Sequence, residues 1–328
     1  MSVSGTPVAR AHEGGTTRSI VADISSDQRE RMLASRSFRF RHQLDGHPSM
    51  SLPEIRNLVE QMFAEGRFDQ IFYKTGMSMA TGRYSDAGSS KDIINVLENL
   101  STAGVWLRLT RVDEVTPQFD AIVERFFADL SEIYERDIKS RTLKTFVTLF
   151  ISSPGAYTNY HMDHTWNFLL QISGRKAVHL YDPCDPQVLT QEDKEDWYMK
   201  NFAISPRAYS KDIIYDLGPG DGVHHPVNAP HWVQNGPEVS ISVSLGLCLH
   251  TSNRDAKVYQ ANYLLRKLGF HPSPPYRSEW RDRMKISFIS LWSDRNSESL
   301  DGAVFSGGNR LRRFLRIGST AEDQYYPK

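Results

Sequence analysis

Apolar residues recur with a helical period in the first part of the chain, up to about residue 140. Three amphipathic helices are predicted there: one begins behind Ser51, one runs from about Ser90 to Leu100, and one begins at Thr116-Pro117. The first has the S-x-x-E spacing of a capping box. A strand is expected at 104–112. The region is therefore predicted to be mainly helical.

From about residue 143 the pattern changes to the alternation of β-strands. Four segments are rich in β-branched and aromatic residues and are separated by Gly, Pro and Asn: Thr145–Ile151, Trp166–Ile172, Lys176–Tyr181 and Val239–Leu249. In the last segment, Ser240, Ser242 and Ser244 alternate with apolar residues, so one strand face is apolar and the other is small and polar. This pattern predicts a mainly β core, a double-stranded β-helix (jelly-roll or cupin) with helical N-terminal and C-terminal additions.

Helical periodicity returns after residue 250. Helices are predicted at Val258–Leu268, which ends at a glycine, and at Glu279–Trp292, and the arginine-rich stretch 310–316 is expected to be a surface helix. The connection from Asp182 to Asp216 is long for a compact domain, and we expect it to be a lid over a site.

These patterns divide the chain into four parts. The predicted parts are 1–25, rich in Gly, Ser and Thr and expected to be disordered; 26–142, a helical region packing on the core; 143–250, the jelly-roll core; and 251–328, a C-terminal helical region and tail.

The charge balance, the apolar runs and the cysteine count limit the partners and the cellular location that are expected for the protein. Lys+Arg and Asp+Glu are both 39, so no global charge favours nucleic acid or a membrane surface, and the five arginines between Asp27 and His42 are expected to form a solvated face. No apolar run approaches the roughly 20 residues of a membrane span, and the N-terminus lacks the apolar stretch of a secretory signal. Two cysteines, Cys184 and Cys248, favour reduced thiols in a cytoplasmic protein.

The segment around His161 carries the most informative chemistry. In an extended strand, His161 and Asp163 lie on the same face, so an imidazole and a carboxylate can point together into a barrel. A lone H-x-D is common by chance, but His231 follows later, after a turn-rich segment. Two histidines and one carboxylate leave three positions of an octahedral ion open, as in non-haem Fe(II) enzymes.

A lysine adds a second requirement. If Lys176 shares a strand face with Val178 and Leu180, its ammonium group is inside the barrel and needs an anion. A dicarboxylate co-substrate supplies that anion, and the serine face of 239–245 offers hydroxyl groups beside it. Pairing of Lys176 with a structural carboxylate is the alternative.

Nearby polar residues compete for these roles. His164 is expected on the opposite strand face from Asp163, whereas His224 and His225 are expected to line the cavity or to hydrogen-bond behind the ligands. Asp221 is interpreted as a turn residue whose side chain binds local backbone.

Together, these motifs resemble the cupin-like (cupin-8 type) branch of the JmjC oxygenases. The resemblance covers about residues 143–250 and rests on Thr158, the H-x-D-x-x-x-N-F run from His161, the G-x-K that ends at Lys176, and the later Pro226-x-x-x-x-His231. It implies that His161, Asp163 and His231 are the iron ligands and that Lys176 pairs with the distal carboxylate of 2-oxoglutarate.

The resemblance also assigns the pocket walls. Thr158 matches a hydroxyl residue that assists the lysine, and Asn167 matches a pocket-lining asparagine. Ser244 stands where an asparaginyl hydroxylase of this family has an amide side chain, so the far wall of the co-substrate pocket departs from the family pattern.

The function implied is that of a dioxygenase dependent on Fe(II), 2-oxoglutarate and O2, which hydroxylates a small molecule such as an amino acid or a natural-product precursor and releases succinate and CO2. Hydroxylation of a protein side chain and JmjC-type N-demethylation stay open as alternatives, as do a non-catalytic metal-binding cupin and a metal-dependent cupin without 2-oxoglutarate. No nucleic-acid or membrane partner is expected, and a homodimer through the helical flanks stays open.

Overall fold

Two antiparallel sheets face each other in the computed structural model, which describes residues 19–22, 24–75, 85–86, 90–200, 211–294, 297 and 300–315. In chain order the strands are β1 (Val21–Ala22), β2 (Phe38–His42), β3 (Ile71–Thr75), β4 (Ser85–Asp86), β5 (Val105–Thr110), β6 (Thr142–Ser152), β7 (Tyr157–His161), β8 (Trp166–Ser173), β9 (Lys176–Tyr181), β10 (Asp212–Leu217), β11 (Asp221–His225), β12 (His231–Asn235) and β13 (Ser240–Leu249). Among the described residues, the larger sheet has the order β1-β2-β11-β8-β13-β6-β5-β3-β4 and the smaller sheet the order β10-β9-β12-β7.

Helices cover the outer face of the larger sheet and follow its last strand. They are α1 (Ser26–Leu33), α2 (Leu52–Ala64), α3 (Ser90–Glu98), α4 (Pro117–Tyr134), α5 (Ile138–Arg141), α6 (Gln191–Tyr198), α7 (His250–Lys267), α8 (Glu279–Ser290) and α9 (Leu300–Phe314). In the part of the chain that the structure describes, no helix is long and apolar enough to cross a membrane.

The two faces of the larger sheet differ in chemistry. On β13, Ile241, Val243 and Leu245 are buried against α2 and α4 in the main apolar core. The alternate residues of β13 face the smaller sheet, and there a second, smaller apolar cluster joins both sheets, for example through Leu169 and Val178. The predicted mainly β jelly-roll with helical additions is thus confirmed.

The predicted N-terminal elements differ from the structure in two respects. Ser51 precedes α2, but its side chain makes no capping hydrogen bond, so the predicted capping box is wrong. The region is also less helical than expected, because β2 and β3, which were not predicted, join the larger sheet near its two edges. β5 lies within the strand expected at 104–112. Helix α4 begins as predicted, with Thr116 Oγ1 accepting a hydrogen bond from the Phe119 N–H.

The connection that follows β9 is more structured than predicted. It contains α6, whose N-terminus has a capping box between Thr190 and Asp193. Glu195 of α6 is buried and pairs with Arg266 of α7 at 2.8 Å. The prediction of a lid is therefore wrong for α6, which is anchored on the C-terminal helices; residues 201–210 of this connection lie outside the described residues.

Predictions for the two ends of the chain are tested only in part. Residues 1–18 lie outside the described range, and the prediction of disorder up to residue 25 is wrong at Val21–Ala22, which pair with β2. The surface helix expected at 310–316 lies at the end of α9, with residues after 315 not described.

The arginine-rich N-terminal run forms ion pairs within the protein. Arg39 and Arg41 both bind the buried carboxylate of Asp221 at 2.6 Å, which joins β2 to β11. Asp221 Oδ2 also accepts a hydrogen bond from the Gly218 N–H, as predicted for a turn residue. These contacts fix the strand that carries His224 and His225.

A buried aspartate holds the first described strand in place. Asp129 of α4 has a side chain only 1% exposed, and it pairs with Arg125 at 2.6 Å. Its Oδ2 also accepts hydrogen bonds from the backbone N–H groups of Ile20 and Val21, at 2.5 and 3.0 Å. The carboxylate thus connects the N-terminal edge of the sheet to the helical layer.

Replacing this carboxylate should destabilise the protein strongly. We expect Asp129→Ala to lower the free energy of unfolding by about 3 kcal/mol, because a partly exposed arginine and two buried backbone N–H groups lose their partner. Asp27→Ala is the matched control: Asp27 pairs with Arg31 at the same i,i+4 spacing, but with a side chain 71% exposed. Asp27→Ala should lower the free energy of unfolding by less than about 1 kcal/mol. Urea unfolding checks both, and equal losses would contradict this account.

Candidate metal centre

Three side chains with metal-binding atoms converge between β7 and β12. His161 ends β7, Asp163 follows two residues later, and His231 begins β12 directly opposite His161. Their ligand atoms all lie within 4.8 Å of one another; His231 Nε2 is 3.8 Å from Asp163 Oδ2, and the two imidazole ring centres are 4.1 Å apart. Among the residues searched, this is the only such group.

Backbone carbonyls orient both imidazoles. His161 Nδ1 is 2.7 Å from the Asn159 carbonyl oxygen, and His231 Nδ1 is 2.9 Å from the Ala229 carbonyl oxygen. Because a carbonyl oxygen can only accept, each Nδ1 carries the hydrogen and donates it. Each Nε2 therefore keeps its lone pair, as a metal ligand requires.

Burial and mutual charge adjust the protonation of the group. Burial, together with the neighbouring His161, lowers the pKa of His231 to about 4. Burial alone would raise the pKa of Asp163, but the adjacent imidazoles His161 and His231 outweigh it, so the net pKa is lowered. A neutral imidazole beside a carboxylate at neutral pH is the state that binds a divalent cation.

The turn between β11 and β12 fixes the segment that carries Asp163. The Asn228 N–H donates to the Asp163 carbonyl oxygen at 2.7 Å, from a left-handed conformation with φ of 64°. The Asn228 side chain in turn accepts a hydrogen bond from the Tyr198 hydroxyl at 2.8 Å. Since Tyr198 is the last residue of α6, the C-terminal helices support the metal centre through this contact.

Lys176 lies inside the barrel, as the sequence predicted. It is 6% exposed, and its Nζ donates to Ser242 Oγ at 2.7 Å. No carboxylate of the described residues pairs with it, so a structural ion pair does not account for its burial. Burial lowers the pKa of Lys176 to about 7. A buried ammonium group without an anion is unfavourable, and an anionic ligand would remove that cost.

The other predicted pocket residues lie on the same inner surface. Thr158 faces Val233 across β7 and β12, but the hydroxyl that binds Lys176 belongs to Ser242. Sequence reasoning did not single out Ser242, although the serine alternation of β13 was the signal that contained it. Ser244 Oγ donates to Asn167 Oδ1 at 2.7 Å, so these two residues form one buried pair.

The competing histidines occupy separate environments. His164 packs against Trp197 and Phe305, with ring centres 5.9 and 5.4 Å away, and lies outside the group of three ligands. His224 faces the helical layer, where its ring lies 4.7 Å from that of Phe168. His225 is on the opposite face of β11, beside His231.

These residues fit Fe(II) and 2-oxoglutarate. Two imidazole nitrogens and a carboxylate on one side of an ion leave open positions for a bidentate ligand and O2. The buried ammonium group of Lys176 needs an anion, and the second carboxylate of 2-oxoglutarate provides it. The structure thus brings the three predicted ligands together and places the predicted co-substrate lysine inside the same barrel.

The model of the cupin-like domain family matches residues 51–245, more than half of the chain. The chain therefore belongs to the cupin-like domain family. No curated protein sequence matches it.

Solved structures that resemble the chain include the ribosomal oxygenase YcfD of Escherichia coli. One such structure is 17% identical, with 80% of this chain and 64% of that chain covered and a TM-score of 0.43. Another, described as a complex with cobalt and 2-oxoglutarate, is 17% identical, with 78% and 62% covered and a TM-score of 0.42. The chain thus spans a little less than two thirds of the length of that oxygenase.

The ligand assignment predicts which histidine variants lose metal. We expect His161→Ala to weaken Co(II) binding by more than about 100-fold, the upper end for groups that only support a ligand. His164→Gln, which alters a buried neighbour outside the group, should retain affinity within about tenfold. Titration with Co(II), followed by visible absorption, measures both. Loss of the cobalt spectrum in His164→Gln but not in His161→Ala would overturn the assignment.

The lowered pKa of Lys176 predicts that affinity for 2-oxoglutarate depends on pH. Above about pH 7 the unliganded lysine is mostly neutral and must take up a proton to pair with a carboxylate. Affinity of the Co(II)-loaded protein should therefore fall by up to about tenfold per pH unit above 7.

Calorimetry at several pH values, in two buffers with different ionisation enthalpies, measures both affinity and proton uptake. Lys176→Arg, which stays protonated, should bind without proton uptake, and Lys176→Met should bind about 10- to 100-fold more weakly than the wild type at pH 7. Binding by the wild type without proton uptake at pH 8 would contradict the account.

Proposed function

We propose that the protein hydroxylates a C–H bond of a small molecule that carries an anionic group, and that it converts 2-oxoglutarate to succinate and CO2 in the same reaction. The observation that carries the proposal is the buried ammonium group of Lys176, bonded to Ser242 and without a carboxylate partner among the described residues. A metal-binding cupin that does not bind 2-oxoglutarate would not require a buried ammonium group at the position of Lys176.

The two ends of the co-substrate would be held by different parts of the smaller sheet and β13. His161, Asp163 and His231 would hold the metal, and Lys176 with Ser242 would bind the distal carboxylate. When bound, Fe(II) supplies the reduction of O2 that is coupled to decarboxylation of 2-oxoglutarate and to hydroxylation of the substrate. The chain contributes orientation: two charged anchor points fix a short dicarboxylate in one direction along the barrel.

An arginine beside the metal group supports an anionic substrate. Arg108 of β5 lies in register with Phe150 of β6, which in turn lies opposite Ser242. Its guanidinium group is 4.3 Å from the ring centre of Phe72 and 5.8 Å from that of Trp106. Such contacts hold a guanidinium group in place.

The positive charge of Arg108 affects the pKa of Asp163, which belongs to the metal group. Burial raises the pKa of Asp163, and the charge of Arg108 helps to lower it, with a smaller effect than the three neighbouring histidines. A substrate whose carboxylate faces Arg108 would present its neighbouring carbons to the metal centre beside Asp163. An amino acid or another small carboxylic acid has this combination of a charged anchor and a nearby C–H bond.

Hydroxylation of a protein side chain is the second candidate. The side chain of Asp163 is 35% exposed, so the mouth of the site is accessible to solvent. An open mouth admits a loop of another protein as well as a small molecule, and this exposure is the observation that favours the second candidate.

Substrate-stimulated succinate formation separates the two candidates. We expect free carboxylic acids to stimulate turnover and their methyl esters to do so at least about tenfold less, because the ester loses the charge-assisted hydrogen bonds to Arg108. Arg108→Gln should raise KM for the best acid by about 10- to 100-fold, with a smaller change in kcat. Arg111→Gln, which alters a neighbouring arginine paired with Glu114, is the control and should change neither.

Either of two results would contradict the proposal. Stimulation by peptides alone would favour the second candidate, whereas esters as effective as acids would remove the role of Arg108.

A further inference from the structure

One buried histidine of the barrel interior lacks the hydrogen bonds that its burial requires. His225, the last residue of β11, is 3% exposed, and neither ring nitrogen has a hydrogen-bond partner in the described structure. It lies on the same strand face as Val223, which belongs to the apolar cluster between the two sheets. The imidazole therefore points into the barrel.

Another buried histidine of this protein has hydrogen-bond partners for both of its ring nitrogens. His42 is also 3% exposed, but its Nε2 lies 3.0 Å from the Gln171 carbonyl oxygen and its Nδ1 accepts from the Leu44 N–H at 3.1 Å. An imidazole always has at least one N–H to donate, so burial without any partner is unfavourable. His225 therefore indicates an interaction that is made only when the cavity is filled.

The position of His225 identifies the part of the cavity concerned. Its ring centre is 4.6 Å from that of His231, with the rings at 75° to each other. His225 is nevertheless outside the group whose ligand atoms lie within 4.8 Å of one another. It is thus next to the metal centre without being a member of it, at the opposite end of the cavity from the ammonium group of Lys176.

Neighbouring strands extend this polar surface. His225 is directly opposite Asn167 on β8, and Asn167 Oδ1 accepts a hydrogen bond from Ser244 of β13. With Oδ1 occupied, the amide of Asn167 retains its N–H groups as donors. Donors that line one wall beside a cation site are suited to an anion that also contacts the cation.

We propose that His225 is a positioning residue that donates a ring N–H to the carboxylate of 2-oxoglutarate nearest the metal, and that it fixes the orientation of this end of the co-substrate. The inference rests on the proposed function, since it requires binding of 2-oxoglutarate. Lys176 holds one carboxylate and His225 orients the other, so rotation of the short dicarboxylate about its metal contacts is restricted at both ends.

The test compares His225→Leu with His225→Gln, a variant that retains an N–H donor. Metal-free protein is examined by thermal unfolding; then, under anaerobic conditions, Fe(II) is added, followed by 2-oxoglutarate, and the visible charge-transfer band is recorded. His224→Leu is the matched control, because His224 is equally buried on the other face of the same strand and contacts the helical layer.

We expect His225→Leu to bind Fe(II) as the wild type does, but to need about 10- to 100-fold more 2-oxoglutarate and to show a shifted band. His225→Gln should recover most of that affinity. The metal-free His225→Leu protein should unfold at no lower temperature than the wild type, because an unsatisfied buried polar group has been removed. His224→Leu should be less stable, with an unchanged band.

Four outcomes would overturn the inference. An unchanged band and affinity in His225→Leu, with a normal wild type, would remove the role of His225 and leave the proposed function intact. Loss of Fe(II) affinity in His225→Leu, or a lower unfolding temperature of its metal-free form, would make His225 a ligand or a structural residue. No band in wild-type protein that binds Fe(II) would overturn the proposed function and this inference together.

Discussion

The candidate site depends on the pairing of β12 with two neighbours at the same time. His231 at the start of β12 lies opposite His161 of β7, and Asn235 at its end lies opposite Lys176 of β9. A strand advances by about 3.3 Å per residue, so the backbone from His231 to Asn235 covers roughly 13 Å along β12. A slip of one residue would turn either group away from the cavity. The register of this strand therefore sets the distance that a co-substrate has to span.

Local patterns in the sequence predicted the parts of this arrangement that depend on strand period alone. β9 has its predicted bounds, and the inward direction of Lys176 follows from its position two residues before Val178. By contrast, β11 was not predicted, because all of its residues are buried and two are histidines, so no apolar–polar alternation exists. For β7 only the extended chain at His161 was expected, and its bounds were not predicted, because its residues are all partly exposed and show no alternation.

Local sequence patterns did not predict the contacts between segments that are distant along the chain. The serine alternation on β13 predicted hydroxyl groups beside Lys176, but only the register of β13 against β8 decides that Ser242 is the partner and that Ser244 binds Asn167 instead. Helix α6 shows a similar limit. The helix was not predicted, and its role depends on the contact of Tyr198 with Asn228, 30 residues away along the chain. The described helix of the segment expected to cover the site thus supports the turn that holds Asp163.

The polar interior explains why the helical additions matter to the site. Between the two sheets the protein buries a lysine without a carboxylate partner and a histidine without hydrogen bonds, and both weaken the folded state when no ligand is present. The serines beside them are hydrogen-bonded within the protein. The opposite face of the same strands compensates: Ile241, Val243 and Leu245 of β13 are almost completely buried against helices of the N-terminal region. One face of the larger sheet therefore provides stability while the other is free to hold charged groups that only a ligand satisfies. A barrel stripped of these helices would have to give up that polarity to remain folded.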